Sequence, residues 1–194
     1  MNIFYLNHDT KLCAQEHVDK HVVKMILEYA QLLSTAHRVL DGTLIDGYSK
    51  TGRKQKRYVL SDDRESTLYS ATHINHPSAV WVRQSPKNYL WLANMLIALC
   101  EEYTYRYGKI HKVERDGLCY VLLKNIPSNI GNSVFTQPTP AMPDAYKVPG
   151  DVISSYQMYY IQDKARMANW KKRSVPQWFS TGVINNANIQ LSSP

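Results

Sequence analysis

The sequence predicts a mainly α protein, a single compact helical domain over residues 1–194 with a buried central helix and long irregular loops. Three observations carry this expectation. Apolar residues recur three and four positions apart through several long segments, Gly, Pro and Asn/Asp clusters separate those segments, and nowhere does the period-two alternation of a half-buried strand emerge. A chain of 194 residues is long enough for one domain with a substantial core, and it holds no internal repeat.

Residues 2–6 (NIFYL) form a short apolar lead-in, after which Asp9 or Thr10 is placed to cap a first helix over roughly 11–40. His17, His21, Lys24, Glu28, Gln31, Thr35 and Arg38 are spaced alternately four and three apart on that helix, which puts them within roughly a 100° sector at helical pitch. From Val22 onward most of the remaining circumference is apolar, so the helix is expected to run through the core with one polar line along it. A buried polar line costs several kcal/mol per ion unless it is paired or lines a wet cleft, so it reads as a cleft wall. The other reading is an amphipathic helix with a narrow solvent face, on which Lys24 and Glu28 make an ordinary i, i+4 pair.

Gly42 and Gly47 break the pattern, and residues 41–66 read as a basic surface loop with further turn signals at Ser49 and Gly52. Pro77 fits the first turn of a short helix and leaves His76 at its N-terminus. A strong helix follows over about 86–107, with Gly108 as its stop. A shorter one spans about 112–124 and ends before Pro127. Residues 127–149 contain Pro127, Pro138, Pro140, Pro143 and Pro149 and read as a long ordered loop or lid. A last helix over about 151–172 leads into a basic-aromatic C-terminal segment, 164–179.

Lys and Arg number 23 against 16 Asp and Glu, a net charge of +7, which favours a polyanionic partner. The excess is concentrated in Arg53, Lys54, Lys56, Arg57 and Arg64, and again in Lys164, Arg166, Lys171, Lys172 and Arg173. Two clusters suit a nucleic-acid backbone better than a small metabolite, although each could equally be a solvated run. Trp170, Trp178 and Phe179 lie among or beside the second cluster, where rings can stack on unpaired bases. Cys13, Cys100 and Cys119 are odd in number and form no C-x-x-C pair, which fits a reduced, cytoplasmic protein. No apolar run approaches the length of a bilayer span, so no membrane partner is expected. Phosphate-binding, dinucleotide and nucleophile-elbow glycine motifs are missing, which removes the usual support for ATP-dependent, nicotinamide-dependent and serine-hydrolase chemistry, and no cofactor is expected.

Lys20-x-x-x-Lys24-x-x-x-Glu28-x-x-Gln31-x-Leu33, then His76-Pro77-x-x-x-Trp81, then the helix from Asn88 to Tyr107 resemble, in order and spacing, the pyrimidine-dimer DNA glycosylases. This is the family of small helical enzymes that includes the phage-type endonuclease acting on ultraviolet-damaged DNA. Trp170-Lys-Lys-Arg173 with Pro176-x-Trp178 resembles the aromatic, basic tail by which the phage member holds DNA. The similarity covers roughly half the chain at motif level; the region after about Lys124 is otherwise unmatched. It implies a phage or bacterial DNA-repair enzyme of base excision, a glycosylase hydrolase with or without lyase activity, whose partner is double-stranded DNA carrying a damaged or modified pyrimidine. One departure concerns the nucleophile. The family's phage-type members use an N-terminal amine exposed when Met is removed before a small residue, whereas Asn2 is large enough that Met1 normally stays, leaving Met1's own amine or Lys24.

Cleaving an N-glycosidic bond passes through a cationic sugar and needs a carboxylate. Glu28 occupies the position that resembles the family's catalytic acid, and Lys24 and His21 beside it are expected to hold it ionised. Lys24 is a candidate amine nucleophile or, equally, a phosphate contact. His17, Gln31, Arg38, His76, Arg83, Lys171, Lys172, Arg173 and Trp178 are the expected DNA contacts, with Trp81, Trp178 or Phe179 as a stacking wedge if each is not simply core. His37 points off the stripe and reads as structural. The competing reading of the histidines is metal: His17-x-x-x-His21 has helical zinc spacing, to which His73-x-x-His76 could add. Two further alternatives are an enzyme that modifies or processes pyrimidines in phage or bacterial DNA on the same scaffold, and a non-catalytic basic nucleic-acid-binding or host-interaction protein.

Overall fold

The computed structural model describes residues 1–48 and 51–191, with side chains described through residue 185. Among these the protein is mainly helical: α1 Thr10–Glu16, α2 Asp19–Asp41, α3 Arg64–Thr67, α4 Pro77–Val82, α5 Pro86–Tyr107, α6 Lys112–Arg115, α7 Leu118–Lys124, α8 Val152–Tyr159 and α9 Gln177–Leu191. The central pair is α2 against α5. Val22, Met25, Ile26, Tyr29, Leu32 and Leu33 of α2 meet Tyr89, Leu92, Leu96 and Leu99 of α5 in one core in which these side chains are shut off from water. Truncating any one of the aliphatic members to Ala costs about 2–5 kcal/mol, since a close-packed interior relaxes only partly around the void. The lead-in Ile3–Leu6 is also buried; the Tyr29 hydroxyl accepts from the Phe4 amide at 3.1 Å, and this bond brings Met1 alongside α2.

The helix expected over 11–40 is interrupted. His17 and Val18 adopt extended backbone (ψ 135° and 152°), so α1 ends at Glu16 and α2 starts afresh with Val18 as its N-cap. The break is stabilised from α5: Arg106, fully buried, donates to the carbonyls of Gln15 and His17 at 2.9 Å each, carbonyls a helix end leaves without partners. Asp9 caps α1 through the Leu12 amide at 2.9 Å, one of the two caps the sequence offers.

The basic stretch 41–66 is not a plain loop. Thr43–Tyr48 (β1) and Lys54–Val59 (β2) pair as an antiparallel hairpin, with Leu44 opposite Tyr58 and Asp46 opposite Lys56. Most of its side chains face water on both sides, which hides the alternation that normally announces a strand. Gly52 supplies a left-handed residue in the connection (φ 79°), whereas the turn expected at Ser49 lies outside the described residues.

Pro77 opens α4 with His76 as N-cap, and Gly108 closes α5 in the left-handed region, both as the sequence suggests. The helix expected over 112–124 divides at Gly117, whose φ of 78° ends α6 and starts α7. That expected over 151–172 stays α-helical only to Tyr159, passes through a π-helical turn over Tyr160–Lys164, and ends in a 3₁₀ turn at Met167. α9 was not anticipated. The Pro-rich stretch is an irregular loop with one 3₁₀ turn at Asp144–Tyr146, and it is pinned: Trp81 donates to the Thr136 carbonyl at 3.1 Å, Asn88 accepts from the Thr136 amide at 3.0 Å, and Ser85 donates to the Ser133 carbonyl at 2.8 Å. No helix among the described residues is long and apolar enough to cross a membrane.

Candidate active site

The polar line of α2 does not form one wall. Its two ends are absorbed into the protein, and its middle opens onto the N-terminus of the chain. Glu28, with a side chain 15% exposed, lies between two amines: its Oε1 is 3.2 Å from Lys24 Nζ and its Oε2 is 3.9 Å from the α-amino nitrogen of Met1. Lys24 itself stands in solvent at 69% exposure, so the pair couples a sheltered carboxylate to an exposed ammonium. Val23 and Leu27, apolar positions on the helix expected to run through the core, are exposed beside it.

The segment leading into α4 packs beside Met1. Thr35, buried one turn beyond Gln31, accepts from the Thr72 amide at 3.2 Å, which ties residues 70–76 to α2. The Thr72 hydroxyl in turn bonds Nδ1 of His73 at 2.7 Å. His76 caps α4 by accepting from the Ser78 amide at 3.2 Å, and the Ser78 hydroxyl reaches back to the Met1 carbonyl at 3.5 Å. Desolvation, with the Met1 amine and His73 adding to it, lowers the His76 pKa, and the nearby Glu28 carboxylate partly opposes this. Met1, Lys24, Glu28 and His76 are therefore one electrostatic unit, and Gln31 lies half-buried one turn along from Glu28.

The other expected contacts have different occupations. His17 is sealed in the core with Nδ1 at 2.7 Å from the Cys13 carbonyl; burial pushes its pKa down to about 4, so it neither charges near neutrality nor reaches a phosphate. His21 stacks on Phe4 (ring centroids 4.1 Å apart) with Nδ1 2.6 Å from the Tyr160 hydroxyl, and burial lowers its pKa to about 3. A neutral His21 cannot help hold Glu28 ionised, contrary to expectation. Arg38 spends its guanidinium inward, on Glu65 Oε2 at 2.5 Å and on the carbonyls of Tyr58, Glu65, Leu68 and Tyr69. It holds the hairpin base and α3 to α2. His37, between the Tyr89 hydroxyl and Arg64, is structural as the sequence indicated.

In the tail, Arg173 forms an ion pair with Glu102 (2.9 Å) and lies over Tyr105; Lys172 donates to the Tyr105 carbonyl at 3.0 Å, and Lys171 lies over the Tyr107 ring. These cations dock the tail on α5, away from Glu28. Trp178 packs against Tyr160 and Phe179, while Trp81 and Phe179 are core and cannot act as a wedge. Arg83 donates to the Ala79 carbonyl at 3.0 Å, and desolvation by partial burial lowers its pKa. His17 and His21 have ring centroids 6.5 Å apart, and no group of three His, Cys, Asp or Glu among the described residues is placed to hold a metal ion.

Sequence reasoning missed the Arg106 cluster, in which Arg106 binds Glu102 at 2.6 Å and Asp19 at 2.8 Å while Asp19 also receives the Lys171 amide. Its signal was the Glu102–Arg106 i, i+4 pair on a helix otherwise rich in apolar residues. Comparisons with protein-family models, with curated proteins and with solved structures found no match to this chain.

Proposed function

We infer that this protein is a DNA-acting enzyme of the glycosylase type, removing a damaged or modified pyrimidine from double-stranded DNA with Glu28 as its catalytic carboxylate. The observation that carries the reading is the sheltered Glu28 carboxylate set between the Met1 and Lys24 amines at the edge of an otherwise apolar core. A carboxylate so placed can stabilise the positive charge that grows at C1′ as the bond to the base breaks and its electron pair leaves with the base. Either water or an amine then completes C1′. With an amine, the C1′–N bond forms as the C1′–base bond breaks, the amine gives one proton to Glu28, which returns it to the departing base, and the second goes to the ring oxygen as the C1′–O4′ bond opens, leaving an imine.

Of the two amines, Met1 is the stronger candidate on geometry. The buried lead-in Ile3–Leu6 fixes its amine 3.9 Å from Glu28 Oε2, whereas Lys24 stands in solvent at 69% exposure. The net charge of +7 supports a polyanionic substrate.

The test is incubation of the protein with duplex DNA carrying ultraviolet photoproducts or modified pyrimidines, scoring free base and abasic sites, with borohydride in a parallel reaction. Base release is the expected result, and peptide mapping of a reduced adduct distinguishes Met1 from Lys24. Tight DNA binding with no product from any substrate would overturn the reading in favour of a non-catalytic binding protein.

A further inference from the structure

A cavity of about 300 Å³ lies between the β-hairpin and residues 70–74, outside the Glu28 centre. That is the lower end of the range for small-molecule sites. The strand register determines what faces it. Leu44 sits opposite Tyr58 and Asp46 opposite Lys56, so these four share one face of the hairpin, an apolar and aromatic patch with an ammonium and a carboxylate opposite each other one step further along; of the four, Leu44, Tyr58 and Lys56 line the cavity. Arg57 contributes at the rim, and Ser70, Thr72 and His73 form the facing wall.

His73 is the second observation. Its φ of 48° is in the left-handed region, a conformation that bulky residues adopt at a cost of about 1–3 kcal/mol and that concentrates at ligand sites. The strain is maintained from both sides, and on the C-terminal side the His73 carbonyl accepts from the His76 amide at 2.8 Å. Thr72 is fastened to Thr35 of α2, and its hydroxyl holds the imidazole by Nδ1, leaving Nε2 as the ring's second polar atom.

The geometry points to a pocket for a nucleoside monophosphate unit, its ring against Tyr58 and Leu44 and its phosphate met by Lys56, Arg57 and His73. Inorganic phosphate would leave the aromatic end unused, and an apolar ligand would have no use for the cations. Such a unit comes from one of two sources, a nucleotide of a bound strand or a free nucleotide. The assignment does not rest on chemistry at Glu28.

Thymidine 5′-monophosphate, thymidine, inorganic phosphate and a thymidine pentanucleotide are the probes, titrated into the full chain and followed by calorimetry and backbone-amide NMR shifts. The expected result is saturable binding of the monophosphate, tighter than thymidine or phosphate, with shifts at Tyr58, Thr72 and His73. Lys56→Glu with Arg57→Glu, both at exposed positions, should weaken it at least tenfold with the melting temperature unchanged, and Lys56→Ala alone should weaken it less. Glu28→Gln should leave it intact. Displacement of the monophosphate by the pentanucleotide assigns the pocket to a strand nucleotide, and failure to displace assigns it to a free one. Absence of saturable binding, or binding indifferent to the double charge reversal, overturns the proposal.

Discussion

Replacing Arg106 by leucine removes the guanidinium on which four acceptor residues converge. Its side chain is fully buried, and it donates to Glu102 (2.6 Å), Asp19 (2.8 Å) and the carbonyls of Gln15 and His17 (2.9 Å each). In the variant Glu102 keeps Arg173, and Asp19 keeps the Lys171 amide and Asn169, so neither carboxylate is left wholly unpaired. The two carbonyls lose their donor, at about 1–3 kcal/mol each if they stay dry. Breaking a buried ion pair by removing one partner costs about 3–5 kcal/mol, and because these contributions overlap, that range is the expected total. For a chain of this size each kcal/mol lowers the melting temperature by about 2–4 °C, which gives a fall of about 6–20 °C. Arg106→Lys restores the charge without the fork and should lie in between. Urea denaturation followed by circular dichroism measures the loss. Limited proteolysis provides an independent readout, since the 164–179 segment docks on the same carboxylates and should be cut faster in the leucine variant. A stability loss below about 1 kcal/mol, with unchanged cleavage of the tail, would refute the role given to this cluster.

Three further outcomes follow from the same structure. His17, His21 and His37 have pKa values lowered by burial to about 4, 3 and 4, so below about pH 6.5 the unfolded chain binds protons that the folded one refuses. Their contribution is fully present above pH 6.5 and is lost as pH falls towards 4, by up to about 1.4 kcal/mol per pH unit for each; urea melts at pH 7, 6 and 5 should show the decline, and His37→Gln should make it shallower by about one proton. If the hairpin contacts phosphates, replacing Lys54, Lys56 and Arg57 by Ala should reduce the slope of log K against log salt by about 2.7, whereas the same change at Lys171, Lys172 and Arg173, already committed to α5, should alter it less in DNA-binding titrations. Gly117→Ala forces a side chain into φ 78° and should cost about 1 kcal/mol, read from the denaturation midpoint.

The helical class and the α2–α5 core were legible because burial imposes the 3.6-residue period directly on the sequence, as Val22, Met25, Ile26, Tyr29 and Leu33 show. The hairpin was not, since strands with nearly every side chain in water carry no alternation. The break at His17–Val18 escaped for a different reason: Arg106, almost ninety positions away, supplies the hydrogen-bond donors that local sequence lacks. At the candidate site Glu28, Lys24 and His76 were readable from helical spacing and the His76-Pro77 cap. The inward commitment of Arg38 and the neutral state of His21 depend on Glu65, Phe4 and Tyr160, contacts that no periodicity encodes.

The most direct test of the central claim is the isosteric change Glu28→Gln, assayed for base release from lesion-bearing duplex DNA alongside the affinity for that DNA. Turnover should fall by about 10²–10⁴ with the dissociation constant moved by no more than about threefold. Turnover that survives the substitution, or turnover and binding lost together, would contradict it.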